Sequence, residues 1–193
     1  MMGDVMTSLR EDHRRVPSRT EALGVARRLL ADQGTRYQHV CRASDVAEHD
    51  LGVLFTPEDH RLLVAAAALH DIGYAPAIAH TGFHPVDGGN YLLAQGYPER
   101  LACLVAHHSH ADLLAPDAAT RQLLRPFERE STLLADALVY ADMHSDPRGE
   151  PILPDQRIAD IERRHPGPAA RRRTIAQEGS VERVRAALAS AGS

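Results

Sequence analysis

The stretch LLVAAAALHDIGYAP, which spans Leu62 to Pro76, decides the fold. Its apolar part is suited to a buried helix, and that helix ends at His70 and Asp71. A helix C-terminus carries about half a negative charge, which repels an acidic side chain by roughly 0.3–1 kcal/mol. A buried carboxylate without a partner costs more than this. We therefore expect a cation beside Asp71, and because the chain contains no lysine, that cation is an arginine or a metal ion.

The composition is that of an ordinary globular protein of 193 residues, with 44% hydrophobic and 25% charged residues. Aromatic residues make up only 4% and tryptophan is absent, so Leu, Ala and Val must fill the core, which favours packed helices over sheets. The net charge of −4, without a basic block, argues against a nucleic-acid partner. We expect a cytoplasmic protein that does not contact a membrane, because we find no signal-peptide pattern, no long apolar run and no CxxC motif.

The hydrophobic periodicity predicts an all-α fold without strands. The expected helices are 21–33, 36 to about 51, 56–71, 84–96, 98–108, 117–127, 130–144, 153–164 and 169–189. Gly73 is expected to take the left-handed conformation that ends the third of these. We expect three regions: a polar arm over residues 1–18, a helical domain over 19–149, and peripheral C-terminal helices over 150–193 that pack on that domain. A homodimer through the C-terminal helices is left open.

Several acids and histidines lie where a helix is buried. Asp142 follows Leu134 and Leu138 on one apolar face, and His70 lies at heptad spacing from Leu63. The remaining candidates lie within helices or at their ends, and they are His39, His84, His107 and His108. A single buried histidine is more often structural than a metal ligand, and an arginine could pair with either acid. Imidazoles and carboxylates gathered in a helical bundle nevertheless indicate a metal site, and without thiolates they suit Fe, Mn, Zn, Co or Mg.

Five segments, in this order, resemble the HD superfamily of metal-dependent phosphohydrolases. They are RYQHVCRAS (36–44), LHDIGY (69–74), HPVDGGNYL (84–92), AHHSH (106–110) and LVYADMHSD (138–146). The resemblance covers residues 21–149 and implies a bundle of about five core helices around a metal site. The chain is most similar to the small stand-alone HDIG proteins of bacteria. It differs from the cyclic-dinucleotide phosphodiesterases in that Tyr74 stands where their HDIG segment is followed by lysine, which argues against cyclic di-GMP as the substrate.

The resemblance also implies a set of metal ligands. The superfamily's H…HD…D set is matched by His39, His70, Asp71 and Asp142. The additional histidines of members with two metals are matched by His84 and by His107 or His108. Asp71 would then bridge two divalent ions, with Fe or Mn favoured and Zn, Co and Mg as alternatives.

The implied activity is hydrolysis of a small phosphate ester, nucleotide-like or another phosphorylated metabolite, by a metal-activated water that Asp71 orients. Arg36 and Arg148 lie beside ligand segments and are candidate substrate-binding residues, although two solvated arginines would give the same pattern. A mixed-valent di-iron oxygenase of the same superfamily would use the same ligand types. A non-catalytic regulatory module stabilised by metal is a second alternative.

Overall fold

Helices make up the regular structure of residues 15–192, the part of the chain that the computed structural model describes. The α-helices, in chain order, are α1 (Arg19–Leu30), α2 (Arg36–Asp50), α3 (Pro57–Leu69), α4 (His84–Ala94), α5 (Glu99–His107), α6 (Ala111–Leu114), α7 (Ala118–Gln122), α8 (Leu133–Asp142), α9 (Pro154–Arg164) and α10 (Pro168–Ala191). Short 3-10 helices follow α2, α3 and α5, at Gly52–Leu54, Ile72–Tyr74 and His108–His110. The prediction of an all-α fold is confirmed. Most of the predicted polar arm, residues 1–14, lies outside the described residues.

Local sequence signals fix where the helices begin. Ser18 forms a capping box with Glu21 at the start of α1. Thr56 caps α3 by accepting from the amide of Asp59, and Pro57 occupies its first turn. Within residues 15–192, no helix combines the length and the apolar character that a membrane span requires.

Two predicted helices are shorter than expected. The helix predicted over 117–127 ends at Gln122. After Gln122 the backbone forms turns with hydrogen bonds between residues three apart, and Pro126 has no amide hydrogen with which to continue a helix. The helix predicted over 130–144 begins only at Leu133, where the side chain of Thr132 accepts from the amide of Ala135.

The core is built around α3, whose residues 62–69 are all buried. This helix contacts α1, α2, α5 and α8, so apolar neighbours surround it. The eight consecutive buried residues in its C-terminal part place His70 and Asp71 in the interior, at the end of a rigid helix. The long helix α10 packs on α8 and α9 and covers the bundle near that end.

The predicted role of Gly73 is wrong. Gly73 is not among the described glycines with positive φ, and it lies within the 3-10 helix Ile72–Tyr74. The position instead requires glycine because α4 begins directly against it. A Cβ atom at Gly73 would lie 1.9 Å from the carbonyl oxygen of His84 and 2.7 Å from the amide nitrogen of Gly88. Glycine therefore sets the close approach of α4, which carries His84, to the end of α3.

We expect Gly73→Ala to lower the free energy of unfolding by about 3 kcal/mol, because backbone must move to admit the methyl group. Gly24→Ala, in the interior of α1, is the matched control, since the nearest heavy atom to its Cβ would be 3.8 Å away. That control should gain about 0.5–1 kcal/mol. Urea denaturation of both variants measures the difference, and equal stabilities would contradict the packing argument.

Candidate metal centre

Six ionisable side chains converge where α3 ends. They come from α2, from the segment after α3, from the start of α4, from the segment after α5 and from the end of α8, and they are His39, His70, Asp71, His84, His108 and Asp142. All are buried except His84, which is partly buried. Their donor atoms form two groups, each with all atoms within 4.8 Å of one another: His39, His70 and Asp142, and Asp71, His84 and His108.

The first group contains two imidazoles and a carboxylate. His39 Nε2 lies 3.2 Å from His70 Nε2 and 3.0 Å from Asp142 Oδ1. His70 Nε2 lies 3.7 Å from the same carboxylate oxygen. Three nitrogen and oxygen donors directed at a common point fit a first-row divalent ion.

Asp71 lies between the two groups and directs one carboxylate oxygen to each. Its Oδ2 is 3.6 Å from His39 Nε2 and 3.7 Å from His70 Nε2. Its Oδ1 is 3.4 Å from His84 Nε2 and 3.5 Å from His108 Nε2. This arrangement allows a single carboxylate to bridge two cations.

Backbone carbonyls orient three of the imidazoles. His39 Nδ1 lies 3.1 Å from the carbonyl oxygen of Asp146, and His70 Nδ1 lies 2.8 Å from that of Ala67. His108 Nδ1 lies 2.6 Å from the carbonyl oxygen of Val105. A carbonyl only accepts, so each Nδ1 carries the proton and each Nε2 is directed into the site. Metal-binding histidines are oriented in this way.

This orientation supports the presence of a cation. With Nδ1 donating, the Nε2 lone pairs of neutral His39 and His70 face each other across 3.2 Å. Such a contact is unfavourable unless a proton or a cation lies between the two nitrogens. His84 Nε2 and His108 Nε2 approach to 3.3 Å in the second group. The donor set and its geometry thus fit two divalent ions.

The charge states also suit metal binding. Burial lowers the pKa of His70, and it lowers the pKa of His84 to about 3, so both imidazoles are neutral at neutral pH. Burial alone would raise the pKa of Asp71 and of Asp142. The surrounding imidazoles outweigh burial and hold both carboxyl pKa values below the usual range. Burial also disfavours the charged forms of His39 and His108, but the carboxylates of Asp142 and Asp71 outweigh burial and raise both imidazole pKa values. A metal ion binds the unprotonated imidazole, so binding at these two residues would displace a proton.

Arg36 provides part of the positive charge that compensates Asp71. Its Nη1 donates to Asp71 Oδ2 over 2.8 Å, and its guanidinium lies 4.2 Å from the centre of the Tyr74 ring. Tyr74 in turn stacks on His84, with ring centroids 3.9 Å apart. Within residues 15–192, Asp71 Oδ1 faces only the two histidines of the second group. Arg36 therefore compensates one oxygen of Asp71 and leaves room for a cation in the second group.

The chain is strained directly after His108. Ser109 and His110 have φ angles of 49° and 56°, the left-handed region that residues other than glycine rarely adopt. Ser109 Oγ donates a short hydrogen bond to Asp142 Oδ2. Ser109 thus positions the Asp142 carboxylate, a role that no sequence pattern had indicated.

Two of the predicted site residues lie outside the cluster. Among residues 15–192, His107 belongs to neither group, because its Nε2 lies 3.0 Å from the carbonyl oxygen of Phe127. The structure therefore brings His108, rather than His107, to the other ligands. Arg148 is exposed in the loop after α8, where its amide donates to Asp146 Oδ1, and its side chain does not line the site.

A cavity of about 470 Å³ opens over the cluster. The six converging side chains except His70 line its floor, together with Arg36 and Tyr74. The C-terminal helices α9 and α10 supply another part of its wall, including Arg157, Arg173 and Gln177. Sequence reasoning had treated these helices as peripheral. The only available signal was their arginine content, which is also typical of solvated helices.

Comparison with known proteins identifies the family. The family model described as HD domain matches residues 36–161, which is more than half of the chain and contains all six converging side chains. Searches of the curated proteins and of the solved structures each gave no significant match.

The two adjacent histidines give a matched pair of variants. We expect His108→Gln to lose one of two bound metal equivalents, because the second group keeps only Asp71 and His84. His107→Gln should retain both equivalents. Elemental analysis of the purified variants, with circular dichroism to confirm folding, measures this. If His107→Gln loses metal while His108→Gln retains both equivalents, the assignment of His108 to the second group is contradicted.

Metal removal should destabilise the fold, because the native state alone assembles the ligands. At a free metal concentration of 100 times the dissociation constant, binding adds about 2.7 kcal/mol to the free energy of unfolding. We expect chelation to lower the melting temperature and Mn²⁺ or anaerobic Fe²⁺ to restore it. A melting temperature that does not respond to any divalent ion would contradict the site.

Proposed function

The chain belongs to the HD domain family, and from this premise we propose that it is a metal-dependent phosphohydrolase acting on a small phosphate ester. The observation that carries the proposal is the position of the Asp71 carboxylate between the two groups of side chains. Its two oxygens face two separate pairs of imidazoles, at distances of 3.4–3.7 Å. A shared carboxylate of this kind is suited to a pair of closely spaced ions, the arrangement found in many enzymes that cleave phosphate esters.

Divalent ions in such a site supply hydroxide at neutral pH and polarise phosphoryl oxygens. The contribution of the protein is to hold the donors without reorganisation. His39, His70 and His108 are fixed by backbone carbonyls, and Asp142 is fixed by Ser109. The hydrogen bond from Arg36 fixes the plane of the Asp71 carboxylate. Preorganised charge of this kind stabilises the transition state of phosphoryl transfer.

The size and lining of the cavity favour a small polar substrate. Its volume of about 470 Å³ lies within the range of small-molecule sites. Arg36, Arg157, Arg164 and Arg173 contribute positive charge to its wall. A phosphorylated metabolite fits both the volume and the charge, whereas a polymeric substrate would need a more open groove.

The other two functions considered from the sequence differ in testable ways. A mixed-valent di-iron oxygenase would use the same six ligands, so geometry does not separate it from a hydrolase. Metal analysis and electron paramagnetic resonance of anaerobically purified protein separate the two, since a mixed-valent iron signal would contradict the proposal. A non-catalytic module is disfavoured by the complete ligand set, because a module without activity would more readily have lost a ligand.

We expect Asp71→Asn to lower kcat by at least about 100-fold, because it removes several kcal/mol of charge stabilisation at the reacting centre. The assay is a panel of phosphate monoesters, nucleotides and phosphodiesters with Mn²⁺, Fe²⁺, Co²⁺, Zn²⁺ or Mg²⁺. Asp59→Asn is the matched control, because Asp59 lies in the first turn of α3, at the opposite end from Asp71, and within residues 15–192 its carboxylate pairs with the exposed Arg100. Full activity and metal content in Asp71→Asn would refute the proposed function.

A further inference from the structure

The wall of the cavity that α9 and α10 provide contains three polar atoms without partners. They are Arg157 Nε, Arg173 Nε and Gln177 Oε1, which are all buried and make no hydrogen bond within residues 15–192. Arg157 and Gln177 are only 9% and 2% exposed. A buried donor or acceptor without a partner is unfavourable, and native proteins rarely leave one unsatisfied. Three such atoms on one cavity wall are placed to form hydrogen bonds with water in the cavity or with a polar ligand that replaces it.

Arg157 has little compensating charge of its own. Within residues 15–192, the one carboxylate at ion-pair distance from it is Asp160, at 3.4 Å. Asp160 already pairs more closely with Arg163 and Arg164, each at 2.7 Å. The guanidinium of Arg157 is therefore a buried cation that shares this ion-pair partner with two other arginines.

Arg173 has even less compensation. Among residues 15–192 it forms no ion pair with a carboxylate, although it lines the same cavity. Burial lowers the pKa of both Arg157 and Arg173, while the charge of Asp142 opposes this effect. Guanidinium groups remain protonated in proteins, so the cavity wall keeps two positive charges.

The metal centre offers these charges little compensation. The charge of Asp142 acts on both guanidinium groups, but within residues 15–192 neither forms an ion pair with it. The six converging side chains and Arg36 come from residues 36–142, whereas the two arginines lie on the C-terminal helices. A phosphoryl group at the centre would meet Arg36 and any bound divalent ions, which leaves the two guanidinium groups available to a different anion within the same cavity.

We propose that Arg157 and Arg173 bind a second anionic group of the substrate, so that the substrate is a phosphate ester whose organic part carries a carboxylate or a further phosphate. This inference rests on the proposed phosphohydrolase function for the position of the first phosphate. Guanidinium groups recognise both kinds of anion through paired N–H donors. The C-terminal helices thereby select the substrate, and the metal centre performs the chemistry.

The test is calorimetric binding of non-hydrolysable probes to the metal-loaded full-length protein. Propylphosphonate carries one anionic group, whereas propane-1,3-diphosphonate and 4-phosphonobutyrate carry a second one. We expect the wild type to bind at least one of the two probes with two anionic groups about 10-fold or more tightly than propylphosphonate. A gain of this size is typical of a hydrogen bond to a buried charge. The better of the two shows whether the second anion is a phosphate or a carboxylate.

Variants assign the preference to the two arginines. Arg157→Gln and Arg173→Gln should each lower affinity for the preferred probe about 10-fold and leave propylphosphonate nearly unchanged. The matched control is Arg172→Gln, on α10 next to Arg173 but exposed and outside the cavity. Arg157→Lys and Arg173→Lys keep the charge but lose the paired N–H donors, so they should reduce the preference by less than the glutamine variants do, and this partial loss is the readout if a neutral variant fails to fold.

The possible results separate this inference from the proposed function. The anion site is overturned if the wild type prefers neither probe with two anionic groups, or if the preference persists in both glutamine variants. Either result would stand even if the enzyme hydrolyses phosphate esters. A preference that depends on Arg157 and Arg173 supports the anion site even if no hydrolysis is found, in which case only the proposed reaction fails.

Discussion

The structure depends on a carboxylate that is buried at the negative end of a helix. Asp71 is placed there by the eight buried residues of α3 that precede it, and neither the helix nor the core compensates its charge. Four imidazoles and one arginine surround it instead. Arg36 and His39 come from α2, His70 directly precedes Asp71, and His84 and His108 come from α4 and from the segment after α5. The need to balance one charge therefore constrains how α2, α4 and the segment after α5 meet α3.

Much of this organisation was predictable because it follows from local rules. Helix capping, proline positions and apolar periodicity predicted the helices. The burial of Asp71 followed from its position after an apolar helix, and that of Asp142 from its position on an apolar face. The order of the histidines along the chain then matched a family whose HD domain spans residues 36–161. The six side chains that meet in the structure were all among the residues proposed from the sequence.

Other features depended on contacts between distant residues. His107 and His108 are equivalent in sequence, and only the carbonyl groups of Phe127 and Val105 show which imidazole faces the site. Gly73 is explained by the backbone of α4 rather than by its own conformation. The arginines of α9 and α10 resembled a solvated surface, because no local pattern reports that a helix will cover a cavity.

The position of Arg157 and Arg173 along the chain has a consequence for divergence within the family. The six side chains of the candidate metal centre all precede residue 143, and the matched HD domain, which includes Arg157, ends within α9 before α10 begins. If the two arginines bind part of the substrate as proposed, substitutions in the last two helices would alter which molecule is accepted without disturbing the reactive centre. A chain built in this way would acquire new substrates through its C-terminal helices while its chemistry is inherited unchanged.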